Sequence, residues 1–375
     1  GDVYKRQRET QQLALESSPN RIPLIFGMDV IHGYKTIFPI PLGLSATWNM
    51  TAIEEAARIS AVEASANGIC WTFSPMVDIA RDARWGRIAE GAGEDPWLGA
   101  QIAKAYVRGY QGDLSENTDI LACMKHYALY GASDGGKDYN TVDMGRQRMF
   151  NVYMPPFKAA VEAGVGSVMS AFNEVDGIPA GANKWLLTDV LREEWGFDGF
   201  VITDWLQTRS TEKAALAGLD ISMPGGESCG FGRPLLDAVR EGRVPESVID
   251  DKVRRILRIY ERIGALDGRN LSAGAAINTP EHQATALQLA EESIVLLRNE
   301  GGMLPLRRGM KILVTGPNAD KHFCLPGMGG SSGIESPYET TVLDGLRNLP
   351  GNADVSYFPT EQLGGFSPIP VSYTH

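Results

Sequence analysis

The sequence predicts an α/β fold, and within that class a (β/α)8 TIM-like barrel that is incomplete at its amino-terminal end. Strand-like and helix-like segments alternate about six times, with connections long enough for crossovers, which makes the strands parallel. Several strands stop at a polar or charged residue. An open doubly wound sheet collects its site at one switch point, whereas a barrel builds it from the ends of many strands. The barrel therefore explains the pattern better.

Apolar, β-branched runs bounded by polar residues predict the strands of this first domain. Because the carboxyl ends of barrel strands share one mouth, the polar residues that follow them are expected to lie together. A missing first βα unit before Arg21 would account for the shortfall from a complete barrel. The predicted strands are Ile22–Asp29, Trp71–Asp78, Ile120–His126, Gly166–Phe172, Gly199–Trp205 and Leu219–Met223.

The segments between and after these strands are predicted to be helical from apolar residues at helical spacing, and Pro96–Gln111 carries Pro near its first turn. A kink is expected at Pro155 and Pro156, inside one of the helices. The predicted helices are Thr51–Asn67, Pro96–Gln111, Arg148–Ala163, Trp185–Trp195, Ser210–Gly218, Pro234–Glu241 and Pro245–Ile263.

The pattern changes after Gly268, which predicts a division into domains. Residues 1–268 form the barrel, 269–305 a linker with a helix at Pro280–Glu292, and 306–375 the beginning of a second α/β domain. That second domain is predicted to hold strands at Lys311–Asp320 and Ala353–Phe358 and a helix at Val342–Leu349. Residues 1–7 and 370–375 fit no predicted element and resemble added sequence, so both ends are left out of the fold prediction.

Composition excludes several classes of function. The 375 residues carry a formal net charge of −11 without a basic stripe, which argues against nucleic acid or an anionic membrane as partner. The four Cys residues form no C-x-x-C pair and are predicted to be buried thiols, not a metal site or a disulfide framework. No apolar run is long enough to span a bilayer. The glycine-rich loop 325–333 fails the spacing of a nucleotide-binding motif.

Asp204 is the leading candidate for a catalytic nucleophile, because a carboxylate at the end of an apolar strand is costly to desolvate without a partner or a use. Hydrolysis of a glycoside needs a carboxylate nucleophile beside a second carboxyl group. It also needs partners for sugar hydroxyls and an aromatic platform. The chain offers Asp29 as an acceptor, Arg87, Lys125 and His126 as donors, and Trp205 as the platform.

Other charged residues near these candidates are predicted to be structural. Asp78 is expected to cap or brace the loop that follows it, in which Arg81, Asp82 and Arg84 form a salt-bridge network. Glu94, Asp95 and Pro96 are typical of a helix start. Glu90, like Glu94 and Asp95, is predicted to have a structural role and not to be the catalytic acid/base.

Long motifs in a fixed order give the chain a specific resemblance to glycoside hydrolase family 3, of the β-glucosidase and β-xylosidase type. The resemblance runs from about Arg21 to Phe358. The segments that carry it are Phe26–Ser45 (FGMDVIHGYKTIFPIPLGLS), Ser74–Ile88 (SPMVDIARDARWGRI), Glu90–Pro96 (EGAGEDP), Met124–Gly131 (MKHYALYG), Asp138–Met144 (DYNTVDM), Met169–Ala180 (MSAFNEVDGIPA), Leu191–Trp205 (LREEWGFDGFVITDW) and Ala217–Gly226 (AGLDISMPGG).

The resemblance implies roles for particular residues. Asp204 matches the nucleophile, although Thr203 precedes it where the family usually has Ser. Asp29 matches the acid that accepts hydroxyl groups at the far edge of the sugar. The remaining matches are the sugar-binding residues Arg87, Lys125 and His126, the pocket residues Met169 and Phe172, and Trp205 beside the leaving-group sugar.

The resemblance also implies the reaction: hydrolysis of terminal non-reducing β-D-glucosyl residues, with retention, through a glycosyl–Asp204 intermediate and without a metal or organic cofactor. The substrate would be a β-linked oligosaccharide or an aryl or alkyl β-glucoside. A β-xylosidase, another exo-glycosidase of the family, and a non-catalytic sugar-binding fragment are the alternatives. The family suggests a periplasmic or secreted protein, and a cytoplasmic one is left open.

The acid/base residue is expected outside this chain. In the β-glucosidase-like branch it is a Glu of the second domain, where an α/β sandwich is implied, beyond residue 375. In the N-acetylglucosaminidase subgroup a His-containing loop after the Lys-His pair does that work. The corresponding loop here, Tyr127–Asn140, contains no His, which favours the β-glucosidase-like branch.

Overall fold

A computed structural model describes residues 2–227, 229–269, 276–322, 332–334, 336–349 and 354–359. These residues fall into two compact units that divide after Ser293. The strands of the first unit are β1 (Gly27–Met28), β2 (Trp71–Thr72), β3 (Cys123–Tyr127), β4 (Ser167–Ser170), β5 (Glu174–Val175), β6 (Ile178–Pro179) and β7 (Phe200–Thr203).

The α-helices of the first unit are α1 (Asp2–Ser17), α2 (Pro41–Ser45), α3 (Met50–Ala66), α4 (Pro96–Gln111), α5 (Arg146–Arg148), α6 (Pro155–Glu162), α7 (Thr211–Ala217), α8 (Arg233–Arg240), α9 (Glu246–Arg262) and α10 (Pro280–Glu292). Shorter 3-10 turns include Ile88–Glu90, Tyr130–Ala132, Asp134–Gly136 and Ala180–Ala182. Among the described residues, none of the helices combines the length and the apolar character that a membrane crossing requires.

The parallel strands of the first unit lie next to one another in the order in which they occur in the chain. β1 pairs with β2, β3 with β4, and β4 with β7, all in parallel. Single parallel bridges extend the order, joining Trp71 to Leu121 and Ile202 to Ile221. The predicted α/β class with parallel strands is therefore confirmed. β5 and β6 form a small antiparallel hairpin beside the sheet.

Several strands are much shorter than the sequence predicts. The segment predicted as a strand from Trp71 to Asp78 is regular only at Trp71–Thr72, because Pro75 has no N–H to donate to the ladder. The ladder resumes at one bridge between Met76 and Lys125. The segment Ile22–Asp29 is regular only at β1, and Leu219–Met223 only at the Ile221 bridge.

Two helical segments differ from the predicted α-helices in their geometry. Residues Met149–Tyr153 are π-helical and lead from α5 into α6, which begins at Pro155 after Met154. The break falls where the prolines were expected to kink the chain, since Pro155 and Pro156 lack N–H groups and are tolerated only in a first turn. The segment Trp185–Glu194 is π-helical throughout.

The amino-terminal end was wrongly predicted to belong to no element. Helix α1 begins at Asp2, and its segment is rich in Gln, Glu, Arg, Leu and Ala, which are good helix formers. Gln7 donates a 2.8 Å hydrogen bond to the Gly68 carbonyl, and Gln11 bonds both backbone groups of Leu24. The helix is thereby joined to the first unit. Residues 370–375 lie outside the described residues.

The main apolar core lies between the parallel strands and the helices that pack on them. Helices α3 and α4 pack closely, and Gly109 sits where they cross. A Cβ at this position would clash with the Glu54 carbonyl oxygen, so the close approach needs glycine. Inside the core, the Tyr110 hydroxyl donates a 2.6 Å hydrogen bond to the Val30 carbonyl, which fixes the chain just after Asp29.

The second unit is a smaller α/β element. β8 (Lys311–Thr315) and β9 (Asp354–Phe358) pair in parallel, and α11 is Val342–Arg347. Val314, Ala319 and Leu343 form its apolar cluster. The two predicted strands and the helix between them are therefore present, whereas most of the glycine-rich loop 325–333 and residues 270–275 of the linker lie outside the described residues.

A buried carboxylate, Glu63 of α3, joins two distant parts of the first unit. It accepts hydrogen bonds from the backbone N–H groups of Lys35 and Thr36 in the loop after β1. It also accepts from Asn278 N–H and from Nδ1 of His282, at 2.7 Å each, at the start of α10. Burial alone raises the pKa of Glu63, but these hydrogen bonds outweigh it and hold the pKa below the ordinary value.

Glu63→Ala is expected to lower the free energy of unfolding by about 3–5 kcal/mol, because it leaves several buried donors and His282 without their acceptor. Urea unfolding followed by circular dichroism measures the change. Glu54→Ala is the matched control, since Glu54 lies on the same helix in an exposed pair with Arg108, for which about 0–1 kcal/mol is expected. Equal losses in the two variants would contradict a structural role for the buried network.

Candidate active site

The ends of β1, β3 and β7 bring the central sequence-predicted residues together. Asp29 directly follows β1, Lys125 and His126 lie within β3, and Asp204 directly follows β7. Lys125 contacts Asp29, and His126 contacts Asp204. Residues far apart in the sequence thus meet at the carboxyl ends of these strands, where the strand-end pattern placed them.

The ammonium group of Lys125 is buried and paired with a more exposed carboxylate. Lys125 Nζ donates a 2.6 Å hydrogen bond to Oδ1 of Asp29. The Lys125 side chain is 2% exposed and that of Asp29 is 29% exposed. Asp29 therefore neutralises a buried cation, while part of its own carboxylate remains accessible.

His126 lies between two carboxylates. Its backbone N–H and its ring Nδ1 are each 2.9 Å from Oδ2 of Asp78, and its Nε2 is 3.3 Å from Oδ2 of Asp204. The contact with Asp204 has the distance of an ion pair but, within the described chain, not the angles of a hydrogen bond. Asp78 was predicted to cap or brace its own loop, and its contact with His126 was missed.

Asp204 is held in its ionised form. Burial alone raises its pKa, but the contact with His126, the Trp205 N–H and the charge of Arg87 outweigh burial and leave the pKa below the ordinary value. The Trp205 N–H donates to Oδ1 at 2.6 Å. One oxygen is thus held by the backbone and the other faces the His126 ring, which gives the carboxylate a defined orientation.

Arg87 is fixed by a bidentate pair with Glu90. The guanidinium donates to the two Glu90 oxygens at 2.8 and 3.0 Å and lies over the Tyr130 ring. Burial alone raises the pKa of Glu90, but the hydrogen bonds and charge of Arg87 outweigh it and lower the pKa. Glu90 is therefore ionised at neutral pH. Glu90 was predicted to be structural, and the structure adds that it positions Arg87, one of the predicted site residues.

The neighbouring acids have the structural contacts that were predicted. Asp95 Oδ1 accepts a 2.8 Å hydrogen bond from Leu98 N–H and caps α4, which confirms the predicted helix start. Asp82 pairs with Arg84 at 2.6 Å near the surface. The predicted salt-bridge network of Arg81, Asp82 and Arg84 is therefore present only in part, as one pair near the surface.

Aromatic side chains surround the charged cluster. The Phe172 ring lies 6.5 Å from the His126 ring and 5.0 Å from the Tyr139 ring, and Trp205 is 55% exposed. Met169 is buried in an apolar cluster with Trp71 and Phe200, so its place at the pocket stays a prediction. A pocket of about 420 Å³ adjoins this side and is lined by Tyr139, Asn140, Thr141, Phe172, Glu174, Pro179 and Arg209.

Sequence reasoning missed Tyr130 and Tyr139 as members of the site. Both follow the Lys-His pair in the loop Tyr127–Asn140, which was inspected for histidine alone. Tyr139 has φ of 64°, a left-handed conformation that is uncommon for Tyr and tends to occur at functional sites. In the described ranges, no group of three or more His, Cys, Asp or Glu residues is arranged to hold a metal ion.

Comparison with known proteins gives the family. The model of the glycosyl hydrolase family 3 N-terminal domain matches residues 3–259, and that of the C-terminal domain matches residues 294–362. The chain therefore belongs to glycosyl hydrolase family 3. This agrees with the resemblance inferred from its motifs.

Named relatives are mainly β-glucosidases. A periplasmic β-glucosidase from Salmonella typhimurium is 38% identical over 92% of this chain and 48% of its own length. A β-xylosidase from Formosa agariphila is 34% identical over 90% of this chain and 51% of its own length. The β-glucosidase from Listeria innocua, solved with isofagomine, superposes with a TM-score of 0.88 at 38% identity, covering 95% of this chain and 52% of that one. The chain spans about half the length of these relatives.

The unequal burial of Asp29 and Lys125 predicts unequal effects of removing either partner. Asp29→Ala should lower the free energy of unfolding by about 3–5 kcal/mol, because it leaves a buried ammonium without its counter-charge. Lys125→Met should cost less, since the remaining carboxylate is partly solvated. Urea unfolding measures both. The double variant should be more stable than Asp29→Ala alone. A larger loss of stability in Lys125→Met than in Asp29→Ala would contradict the inference that the buried ammonium carries most of the desolvation cost.

Proposed function

We propose that the whole protein is a retaining β-glucosidase that removes terminal non-reducing β-D-glucosyl residues. The observation that carries the proposal is Asp204, an ionised and oriented carboxylate after β7, in contact with the His126 ring. Family membership and the names of its relatives support the same reaction. The proposed substrates are β-linked oligosaccharides and aryl or alkyl β-glucosides.

We propose that residues 1–268 form a (β/α)8 barrel and that residues 306–375 begin an α/β sandwich. The parallel strands, adjacent in chain order from β1 to the Ile221 segment, support the barrel. The likeness to solved β-glucosidases covers nearly the whole chain and supports the same arrangement. In a barrel, chemistry collects at the carboxyl ends of strands, where Asp29, Lys125 and Asp204 lie.

Asp204 would act as the nucleophile. Its carboxylate oxygen attacks the anomeric carbon and forms a glycosyl ester while the bond to the leaving oxygen breaks. The leaving oxygen takes a proton from a second carboxylic acid. Water, deprotonated by that same group, then attacks the anomeric carbon and releases the sugar and the free Asp204 carboxylate. Two inversions give net retention.

The sugar would be held by the residues that surround Asp204. Asp29 has an accessible carboxylate that can accept hydrogen bonds from hydroxyl groups, while Lys125 and Arg87 supply donors and positive charge. His126 borders the same space as Phe172. Trp205, exposed next to the nucleophile, offers an aromatic face to the leaving-group sugar, and Met169 is proposed to line the pocket together with Phe172.

The second carboxyl group is proposed to come from the second family domain. Glu90 is a buried acid paired with the proposed sugar-binding residue Arg87, but that pair lowers its pKa and leaves it without a proton to supply near neutral pH. A retaining acid/base must lie about 5–5.5 Å from the nucleophile and must carry a proton when the sugar binds.

A β-xylosidase is the second candidate, because one relative of 34% identity carries that name. Comparison of kcat/KM for 4-nitrophenyl β-glucoside and β-xyloside decides between the two. A periplasmic or secreted location is proposed from the periplasmic relative. No metal or organic cofactor enters the proposed reaction.

Covalent trapping tests the nucleophile. A 2-deoxy-2-fluoro β-glucoside is expected to label Asp204, since the fluorine slows hydrolysis of the ester more than its formation. Peptide mass mapping of the inactivated protein locates the label. Asp204→Ala should lose nearly all turnover. Asp198→Ala is the matched control, because Asp198 lies before the amino end of the same strand and pairs with Arg262; a label at Asp29 or Glu90 would reassign the nucleophile.

Glu90→Gln tests whether Glu90 donates the proton. If it is only the partner of Arg87, the variant should lose similar factors of activity on methyl and 2,4-dinitrophenyl β-glucoside. If it is the general acid, the methyl glucoside should lose about 10²–10⁴-fold more, because methoxide needs the proton and dinitrophenolate does not. Steady-state rates on the two substrates measure the ratio.

A further inference from the structure

The buried carboxylate of Asp78 is unusual in what it contacts. Its side chain is 0% exposed, and one oxygen, Oδ2, accepts from both the backbone N–H and the ring Nδ1 of His126. In the described chain Oδ1 has no hydrogen-bond partner. Burial of a carboxylate is costly unless a positive charge compensates it, and the one ring that Asp78 bonds is His126.

These contacts place the protons of the His126 ring. Nδ1 faces Oδ2 of Asp78 at 2.9 Å, so Nδ1 carries a proton. Nε2 lies 3.3 Å from Oδ2 of Asp204. In the described chain this contact has the distance of an ion pair and not the angles of a hydrogen bond, so it favours a positively charged ring through the proximity of opposite charges. A proton on both nitrogens gives an imidazolium between two carboxylates, each attracted to it in a poorly solvated space.

We propose that Asp78 is a positioning residue that holds His126 as an imidazolium with Nε2 beside the Asp204 carboxylate. The inference rests on the proposed function and deepens it. The His126 imidazolium then keeps the Asp204 carboxylate anionic, and the Asp78 carboxylate keeps the imidazolium in place. Of the two carboxylates, only Asp204 is open to the substrate.

Other charged side chains lie near Asp78, His126 and Asp204 and also affect the protonation of these groups. Arg87 adds positive charge at Asp204, and Glu90 adds negative charge near His126 and Lys125. The Tyr130 ring packs edge-on against His126. The titratable and charged groups around the site are Asp29, Arg87, Glu90, Cys123, Lys125, Tyr130 and Tyr139.

Asp78→Asn in the full-length protein separates this role from simple bracing. The amide oxygen can still accept both bonds from His126, but the negative charge is lost, and His126 holds its second proton less firmly. The pKa of Asp204 then rises, and the acid limb of kcat/KM should move up by about one pH unit. The activity is expected to fall about 10–100-fold, as when a partner that orients a metal-binding histidine is removed.

The substrate is 2,4-dinitrophenyl β-glucoside, because its leaving group needs little acid assistance and the acid limb then reports the nucleophile. Glu63→Gln is the matched control: Glu63 is another buried carboxylate that bonds backbone N–H groups and a His ring, but its partners lie outside the site. It should lower stability without moving the acid limb. An acid limb unmoved in folded Asp78→Asn would overturn the proposal.

A second measurement decides the case even if Asp78→Asn fails to fold. In ¹⁵N-histidine-labelled wild-type protein at pH 7, both ring nitrogens of His126 should show the shifts of protonated imidazolium, with the signals assigned by their loss in His126→Gln. A neutral His126 ring would overturn the proposal. Wild-type protein inactive on all aryl β-glycosides would instead refute the proposed function and leave the ¹⁵N result intact.

Discussion

Two buried basic side chains at the end of β3 are the constraint around which the site is built. Lys125 and His126 are consecutive residues with almost no access to water, and buried groups of this kind need polar or charged partners. Those partners cannot come from β3 itself. They come from Asp29 after β1, Asp78 after β2 and Asp204 after β7, so the contacts form only when these strands lie side by side in parallel.

Acidic and basic side chains alternate across the site, and each one affects whether its neighbours are ionised. Glu90 and Asp204 are both buried, and burial works against their charge, yet each has a cationic partner that lowers its pKa. Arg87 links the two, since its guanidinium bonds Glu90 and its charge reaches Asp204. Removal of any one charge therefore changes the protonation of its neighbours as well as its own contacts.

Much of this arrangement could be predicted from local sequence. The strand ends at Asp29, His126 and Asp204 follow from apolar runs that stop at a charged residue, and the helix start at Asp95 follows from a local capping pattern. The family follows from motifs that are long and ordered. These signals are local, so a single sequence contains them.

Other features depend on contacts between distant residues or on competing local effects. Asp78 and His126 are 48 residues apart, and Glu63 and His282 are 219 apart, so no spacing rule joins them. The strand at Trp71 is short because Pro75 interrupts its ladder, an effect that the strand-like run Trp71–Asp78 does not reveal by itself. Helix α1 was not predicted because its amphipathic pattern is weak, although its residues are good helix formers.

The regular parts of β1, β2, β3, β4 and β7 are only two to five residues long, and each of these strands is followed by a loop that carries a different part of the site. Because every part comes from its own strand and loop, a loop such as Tyr127–Asn140 can change in length or composition without altering the pairing of the sheet. The pairing of the strands is thus independent of the loop residues that determine substrate specificity. Descendants of one ancestral chain can acquire new sugar or aglycone specificities by exchanging loops while Asp204 and its neighbouring charges stay where they are.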